Sequence, residues 1–254
     1  MSTMSTKSAA RAGASETRES GSGLKRRLLA CGAIGPPLFV AVFLVESVVH
    51  PPGYDPLRHT VSAFVLGDFG WVQRANFLVT GGLLLAFAFG LRPALRGHGY
   101  GGGRVVPALI GWFGIGLIGS AMFAADPVSA GVTASAPYPP GTPVVADRTL
   151  HGVLHDLFGT PVFLGLPIAC SVMAYRFARA GRKGWASYSI GTVAAYLTCF
   201  VLTSMALAQP PALLPSVGGL LQRLTIVIGW AWLTALALHL LGPARQAAAA
   251  TSAQ

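Results

Sequence analysis

Charged residues are scarce in this sequence. Asp, Glu, Lys and Arg make up 10% of the 254 residues, whereas 53% are hydrophobic. A typical soluble domain carries about 25% charged residues. The composition therefore excludes an ordinary soluble protein and indicates an integral membrane protein.

Cysteines are few, and the motifs of many soluble enzymes are absent. Cys31, Cys170 and Cys199 all lie in apolar segments, where they are interpreted as small packing residues rather than disulfide partners. The sequence has no phosphate-binding glycine loop, Gly-x-Ser-x-Gly elbow, Cys-x2-Cys pair or His-Glu-x2-His motif. It therefore excludes the enzyme classes that depend on those motifs.

The formal net charge of +10 does not indicate a nucleic-acid partner. Nucleic-acid binding requires basic residues on one soluble face, together with aromatic residues or a recognised motif, and neither pattern occurs here. The basic residues instead fall at the ends of apolar segments, where they contact anionic lipid and determine orientation. The predicted partner is the lipid bilayer, and no pattern indicates an oligomeric state.

Six apolar segments approach the length of about 20 residues that crosses a bilayer. They cover residues 28–49, 75–91, 105–125, 150–174, 187–208 and 220–241. We therefore predict an all-α six-helix transmembrane bundle at residues 25–243. A disordered cytoplasmic tail is expected at residues 1–24 and a short cytoplasmic tail at 244–254. The third segment carries small residues that predict close helix contact, namely Gly111, Gly114, Gly116, Gly119 and Ser120.

The distribution of charge predicts the orientation. With an even number of spans and the amino terminus inside, only four of the 18 basic residues fall outside, namely Arg58, Arg74, Arg148 and Arg223. This excess predicts that both termini are cytoplasmic. The acidic residues after the tail all fall in outer loops or outer halves of spans, namely Glu46, Asp55, Asp68, Asp126, Asp147 and Asp156. The positive-inside rule does not require that asymmetry, which indicates a polar site on the outer side.

The run "LHGVLHDLFGTPVF" at residues 150–163 places ionisable groups in an apolar span. His151 and His155 are four residues apart and share a helix face, whereas Asp156 is turned aside by one residue. A charge near the membrane midplane needs a partner. We predict that Asp156 pairs with Arg223, and that Glu46 meets a protonated or metal-bound histidine.

Four interpretations of this outer polar cluster remain open. A cavity could bind or transfer a polar or lipid-like ligand. His151 and His155 could hold a divalent metal, completed by Glu46, Asp126 or Asp147, in a membrane-embedded hydrolase. The groups could couple proton or ion movement, or only join helices. We favour the ligand cavity, with a predicted set of Glu46, Arg58, Asp126, Arg148, His151, His155, Asp156 and Arg223.

Two outer segments are predicted to lie near this cluster. Residues 50–74 mix turn signals with an apolar stretch and include Trp71, so they are expected to return along the membrane surface. Residues 126–146 are rich in Pro, Ala and Ser and are expected to form a long loop or a lid.

The run "YDPLRHTVSAFVLGDFGWVQRANFLVTGGLLLAFAFGL" at residues 54–91 precedes a later span that opens with "HGVLH". The chain thereby resembles, over residues 28–241, the bacterial membrane-protein family called domain of unknown function 998. The family pattern corresponds here to Tyr54, Ser62, residues 70–74 and His151. The resemblance implies a six-span plasma-membrane protein of a bacterium, with no established activity.

A weaker resemblance is to the ceramidase and adiponectin-receptor hydrolases. It implies zinc held by three histidines, two of them spaced as His151 and His155 are, with the third open between His50 and His59. The six spans predicted here differ from the seven of that group.

Overall fold

The computed structural model of the protein describes residues 3–127, 138–140, 148–207 and 217–243, with side chains from Gly21 onward. The described residues form six α-helices and one short 3₁₀ helix at Val61–Leu66, with no strand among them. The α-helices are α1 (Thr3–Val48), α2 (Gly70–Gly97), α3 (Val105–Met122), α4 (Leu150–Arg179), α5 (Lys183–Leu207) and α6 (Gly218–Leu241). The predicted all-α class is confirmed.

All six helices are long and apolar enough to cross a membrane, with Gly21–Val48 as the candidate span of α1. Every predicted span overlaps one of them, and the second extends at both ends to become α2. Helix α1 itself begins at Thr3, inside the segment predicted to be disordered. No proline occurs before Pro36, so none interrupts a helix in this amino-terminal segment. Disorder of the tail stays a prediction from composition.

The helices form a closed ring in chain order. Each helix packs against the next one in sequence, and α6 packs against α1. Neighbours run antiparallel, as the contacts between α1 and α2 illustrate: Leu28 lies beside Gly90, whereas Phe39, farther along α1, lies beside Phe77. We call the end that carries the 3₁₀ helix the cap end. The opposite end, which carries the connections at residues 98–104 and 180–182, is the basic end, since it holds Arg92, Arg96, Arg104, Arg176, Arg179, Arg182 and Lys183.

Aromatic side chains fill the centre of the ring. Phe39 of α1 stacks on Trp230 of α6 at a centroid distance of 4.2 Å, and it also contacts Phe77 of α2 at 5.5 Å. Phe113 of α3 meets Trp230 edge-on at 5.5 Å. Such pairs contribute about 0.5–1.5 kcal/mol each beyond the burial of their area. The cluster joins four helices across the ring.

Small residues let α3 approach its neighbours closely, as predicted. A Cβ added to Gly114 would lie 2.7 Å from the carbonyl oxygen of Gly81 in α2. On the other side, a Cβ on Gly119 would lie 2.1 Å from the ring of Phe158 in α4. Larger side chains would separate these helices, because a bilayer offers no hydrophobic force to hold them and packing must do so.

The central part of residues 50–74, which were predicted to return along the membrane surface, packs against the bundle. Tyr54, His59, Val61, Phe64 and Val65 are buried against the cap end of the bundle. We call residues 54–66 the cap segment. Its aromatic and branched side chains pack better on the apolar end of the ring than in an interface, whereas Phe69 and Trp71 remain exposed.

Helix α6 also binds the backbone of the cap segment. The Leu220 amide donates to the Leu57 carbonyl at 3.0 Å, and the Val61 amide donates to Oε1 of Gln222 at 2.8 Å. Because buried backbone groups must find partners, these bonds allow an irregular segment to lie against the bundle.

Candidate functional site

A cavity of about 760 Å³ opens at the cap end between α4, α5, α6 and the cap segment. Charged residues, namely Asp126, Arg148 and Asp156, lie at its opening and form what we call the mouth cluster. Apolar side chains, namely Phe163, Leu164, Phe200 and Leu207, line its wall. The volume falls within the range of about 300–1,000 Å³ that is typical of small-molecule sites.

An exposed ion pair forms part of the mouth cluster. Arg148 Nη2 donates to Asp156 Oδ2, and both side chains are about two-thirds exposed, at 65% and 64%. Asp156 follows the buried His155 by one residue, so its side chain is rotated out of the bundle. It therefore pairs with the cation just before its own helix.

Asp126 anchors the start of α4. Its carboxylate accepts from the Thr149 amide at 3.0 Å and from the Thr149 hydroxyl at 2.5 Å. Thr149 in turn caps the helix, since its hydroxyl accepts from the Gly152 amide at 3.1 Å. Both oxygens of Asp126 are thus engaged, which leaves Arg148 and Asp156 as the more available charges of the mouth cluster.

His155 lies where the cavity meets a second, smaller one. Its Nδ1 donates to the Phe123 carbonyl at 2.9 Å, so Nε2 is the acceptor of the neutral ring. The smaller cavity, of about 50 Å³, lies above the central aromatic cluster and is lined by Phe39, Phe77 and Trp230. Both cavities share a polar boundary, Ser62, His155 and Gln222, which we call the junction.

Arg223 does not belong to the mouth cluster, and the predicted Asp156–Arg223 pair is wrong. Arg223 is only 7% exposed. Its Nη1 donates to the carbonyls of Pro56, His59 and Gly219 at 2.7, 2.8 and 3.1 Å. Its Nη2 donates to the Tyr54 hydroxyl at 2.6 Å, and its Nε donates to Ser47 at 3.2 Å.

Oxygen dipoles therefore balance the Arg223 charge. Within the described part of the chain, no carboxylate lies within ion-pair distance of it. The Tyr54 hydroxyl also donates to the Thr60 carbonyl at 2.9 Å. Burial raises the pKa of the Tyr54 phenol above its ordinary value of 10.0, and the Arg223 charge offsets only part of that rise. Arg223 and Tyr54 thus fasten the cap segment to α1 and α6.

The other predicted site residues that the structure describes lie apart from the cavity lining. Glu46 is half-buried on α1, and its Oε2 is buried without a hydrogen-bond partner among the described residues, so the predicted contact with a histidine is not observed. Arg58 pairs with Asp55 at 3.2 Å in a partly exposed position. His151 is exposed, with its ring edge-on to Phe123 at 5.6 Å. Asp147 lies outside the described residues.

The structure does not assemble a metal centre around His151 and His155. Among the residues that the structure describes, no group of three His, Cys, Asp or Glu side chains is placed to hold an ion. His155 points into the bundle, whereas His151 is exposed on the same helix. The geometry therefore does not favour the metal hydrolase interpretation.

Sequence reasoning assigned no role to Ser62 or Gln222, although both line the junction. Uncharged polar residues in an apolar context give only a weak signal, since they also occur in ordinary helix packing. Ser62 and Tyr54 could have been found only through the family pattern, which includes both.

Two features indicate the class of this protein. One is the six-span helical ring, and the other is a family pattern whose Tyr54, Ser62 and His151 all lie at the cap end. No curated protein and no solved structure matches the chain. A family model described as "Protein of unknown function (DUF998)" matches residues 33–239, which include parts of all six helices. The protein is therefore a multi-pass membrane protein that belongs to the DUF998 family.

Proposed function

We propose that the protein binds an amphipathic, lipid-like molecule in the cap-end cavity. The observation that carries this proposal is the polarity of the cavity, which has charged groups at the opening and apolar side chains along the wall. A ligand with a polar head and an apolar chain matches that gradient. Water alone would leave the apolar wall unfavourably hydrated.

The mouth cluster suits a head that carries at least one negative charge. Arg148 is exposed, and its bond to Asp156 joins two solvated side chains. Such surface pairs contribute only about 0–1 kcal/mol. A phosphate or carboxylate can therefore take the place of Asp156 on Arg148 at little cost, and a zwitterionic head can engage both partners.

The wall suits an acyl or similar chain. Phe163 and Leu164 come from α4, whereas Phe200 and Leu207 come from α5, so the wall follows the seam between two helices. Each buried CH₂ group contributes about 0.8 kcal/mol. The junction lies between the bound acyl chain and the smaller cavity, and it offers His155 as a hydrogen-bond partner for a polar group of the ligand.

Native mass spectrometry of the full chain, released from native membranes in mild detergent, tests this function. The wild type is expected to retain a lipid-like adduct. Retention should fall about tenfold or more when Arg148→Gln and Asp156→Asn are combined, because a hydrogen bond to a charged group contributes roughly 1.5–3 kcal/mol.

The chain supplies a matched control for that experiment. Arg58 and Asp55 form another partly exposed ion pair at the cap end, outside the cavity lining. Arg58→Gln with Asp55→Asn makes the same change in charge and should leave the adduct in place. No adduct in the wild type, or equal loss in both double variants, would contradict the proposal.

A further inference from the structure

A separate cavity of about 330 Å³ lies at the basic end, where α1 meets the end of α6. Its lining combines cationic and apolar side chains, chiefly Lys25, Arg26, His98, Leu29, Leu240 and Leu241. None of the described residues that line it is acidic. It lies at the opposite end of the helices from the mouth cluster and shares no lining residue with the cap-end cavity.

His98 provides a second, independent indication of a ligand. Its Nδ1 donates to the Ala94 carbonyl at 2.9 Å, which fixes the ring at the end of α2. Its Nε2 is buried and has no hydrogen-bond partner in the described part of the chain. A buried ring nitrogen without a partner is costly, and because Nδ1 carries the donated hydrogen, Nε2 needs a donor such as a hydroxyl group of a bound ligand.

We infer that this basic-end cavity binds a phosphate group, and that its source is the headgroup of an anionic phospholipid. Lys25 and Arg26 supply donors for phosphate oxygens, and Nε2 of His98 can accept from a headgroup hydroxyl. The leucines on α1 and α6 favour a lipid over free phosphate, since they provide a surface for the first part of an acyl chain. Basic pockets between spanning helices are known to recognise such headgroups.

The test compares lipid binding by native mass spectrometry of the full chain in detergent. The probes are dioleoylphosphatidylglycerol, which is anionic, and dioleoylphosphatidylcholine, which is zwitterionic. The wild type should bind the anionic lipid more tightly. Lys25→Gln with Arg26→Gln should weaken that binding about tenfold or more, since both cations attract the anionic headgroup.

Two control variants make the result specific. Lys183→Gln with Arg104→Gln removes the same charge from exposed positions at the same end, outside the cavity, and should leave binding unchanged. Lys25→Arg with Arg26→Lys keeps the charge and should retain most of the affinity. Equal weakening by both glutamine pairs, or no preference for the anionic lipid, would overturn the inference.

Thermal unfolding distinguishes the source of the phosphate. Inorganic phosphate and glycerol 3-phosphate should not raise the melting temperature of the wild type, whereas phosphatidylglycerol should. Stabilisation by the free anions to the same extent would overturn the lipid assignment. The Arg148→Gln and Asp156→Asn variant should still bind phosphatidylglycerol at the basic end, so the two cavities can be tested independently.

Discussion

At the scale of single residues, Arg223 is a buried cation whose donors reach α1, α6 and the cap segment. Arg223→Gln should lower the free energy of unfolding by about 3 kcal/mol, because the carbonyls of Pro56 and His59 lose a charged donor while remaining buried. Thermal unfolding in detergent, followed by tryptophan fluorescence, measures the change.

Arg58→Gln is the control for that measurement, since Arg58 forms only a partly exposed ion pair. Loss of this ion pair should lower the free energy of unfolding by about 0–1 kcal/mol. Similar losses of stability in both variants would contradict the assigned role of Arg223.

Ionisation of Tyr54 should lower the stability of the protein at alkaline pH. Its pKa in the folded state lies above the ordinary value of 10.0, so the unfolded chain loses this proton first as the pH rises. The stability that the Tyr54 phenol contributes is therefore complete below about pH 10 and decreases above it. Tyr54→Phe should lower the melting temperature at neutral pH and flatten its decline above pH 10.

Tyr175→Phe is the matched control, because Tyr175 is 64% exposed at the other end of the molecule. It should leave both the neutral melting temperature and its alkaline decline unchanged. A Tyr54→Phe variant with the same alkaline slope as the wild type would contradict the role of this phenol.

Residue-level prediction failed for partners. The sequence placed Asp156 deeper along its helix than Arg223 but on the same side of the membrane, and both lie toward the cap end. Pairing also depends on rotation about the helix axis, and Asp156 faces outwards, one residue after the buried His155. Backbone carbonyls and a phenol, whose positions depend on the tertiary fold, satisfy Arg223 instead.

At the scale of helices, α3 is held between α2 and α4 by glycine contacts. Gly114→Ala should lower the free energy of unfolding by about 1–3 kcal/mol. The added Cβ would meet the backbone of Gly81, and neither helix can move without losing other contacts. Gly111→Ala is the control in the same helix, since its Cβ would lie at an ordinary 3.7 Å from Ala88.

Gly111→Ala should leave stability unchanged or raise it by up to about 1 kcal/mol, because alanine favours a helix over glycine. Chemical or thermal unfolding of both variants under identical detergent conditions checks the pair. Equal effects at the two positions would show that close approach at Gly114 is not what stabilises the packing.

The six helices were predictable because a bilayer requires long apolar segments with internally bonded backbones. The cap segment was not predictable in the same way. A short run such as "VSAFVL" at Val61–Leu66 can contact either lipid or protein, and periodicity does not distinguish the two environments. Its burial depends on Arg223 and Gln222, which are distant in sequence.

At the scale of the whole molecule, charge predicts that the basic end faces the cytoplasm. In a chain whose three cysteines are replaced by alanine, Leu57→Cys should react with a membrane-impermeant maleimide on intact cells. Gly184→Cys should react only after permeabilisation. Both positions are exposed, at opposite ends of the bundle, and the reverse pattern would contradict the orientation.

The closure of the ring by α6 has a consequence for biosynthesis. Arg223 bonds to Ser47, a residue 176 positions earlier, so the nascent chain must be synthesised into α6 before its cap segment can be fastened. Amino-terminal parts of a protein emerge first, and the first five helices would wait in the bilayer with this segment unsecured. A product truncated before the last helix should therefore be recognised by membrane proteases, as an unfinished assembly that retains most of its hydrophobic spans.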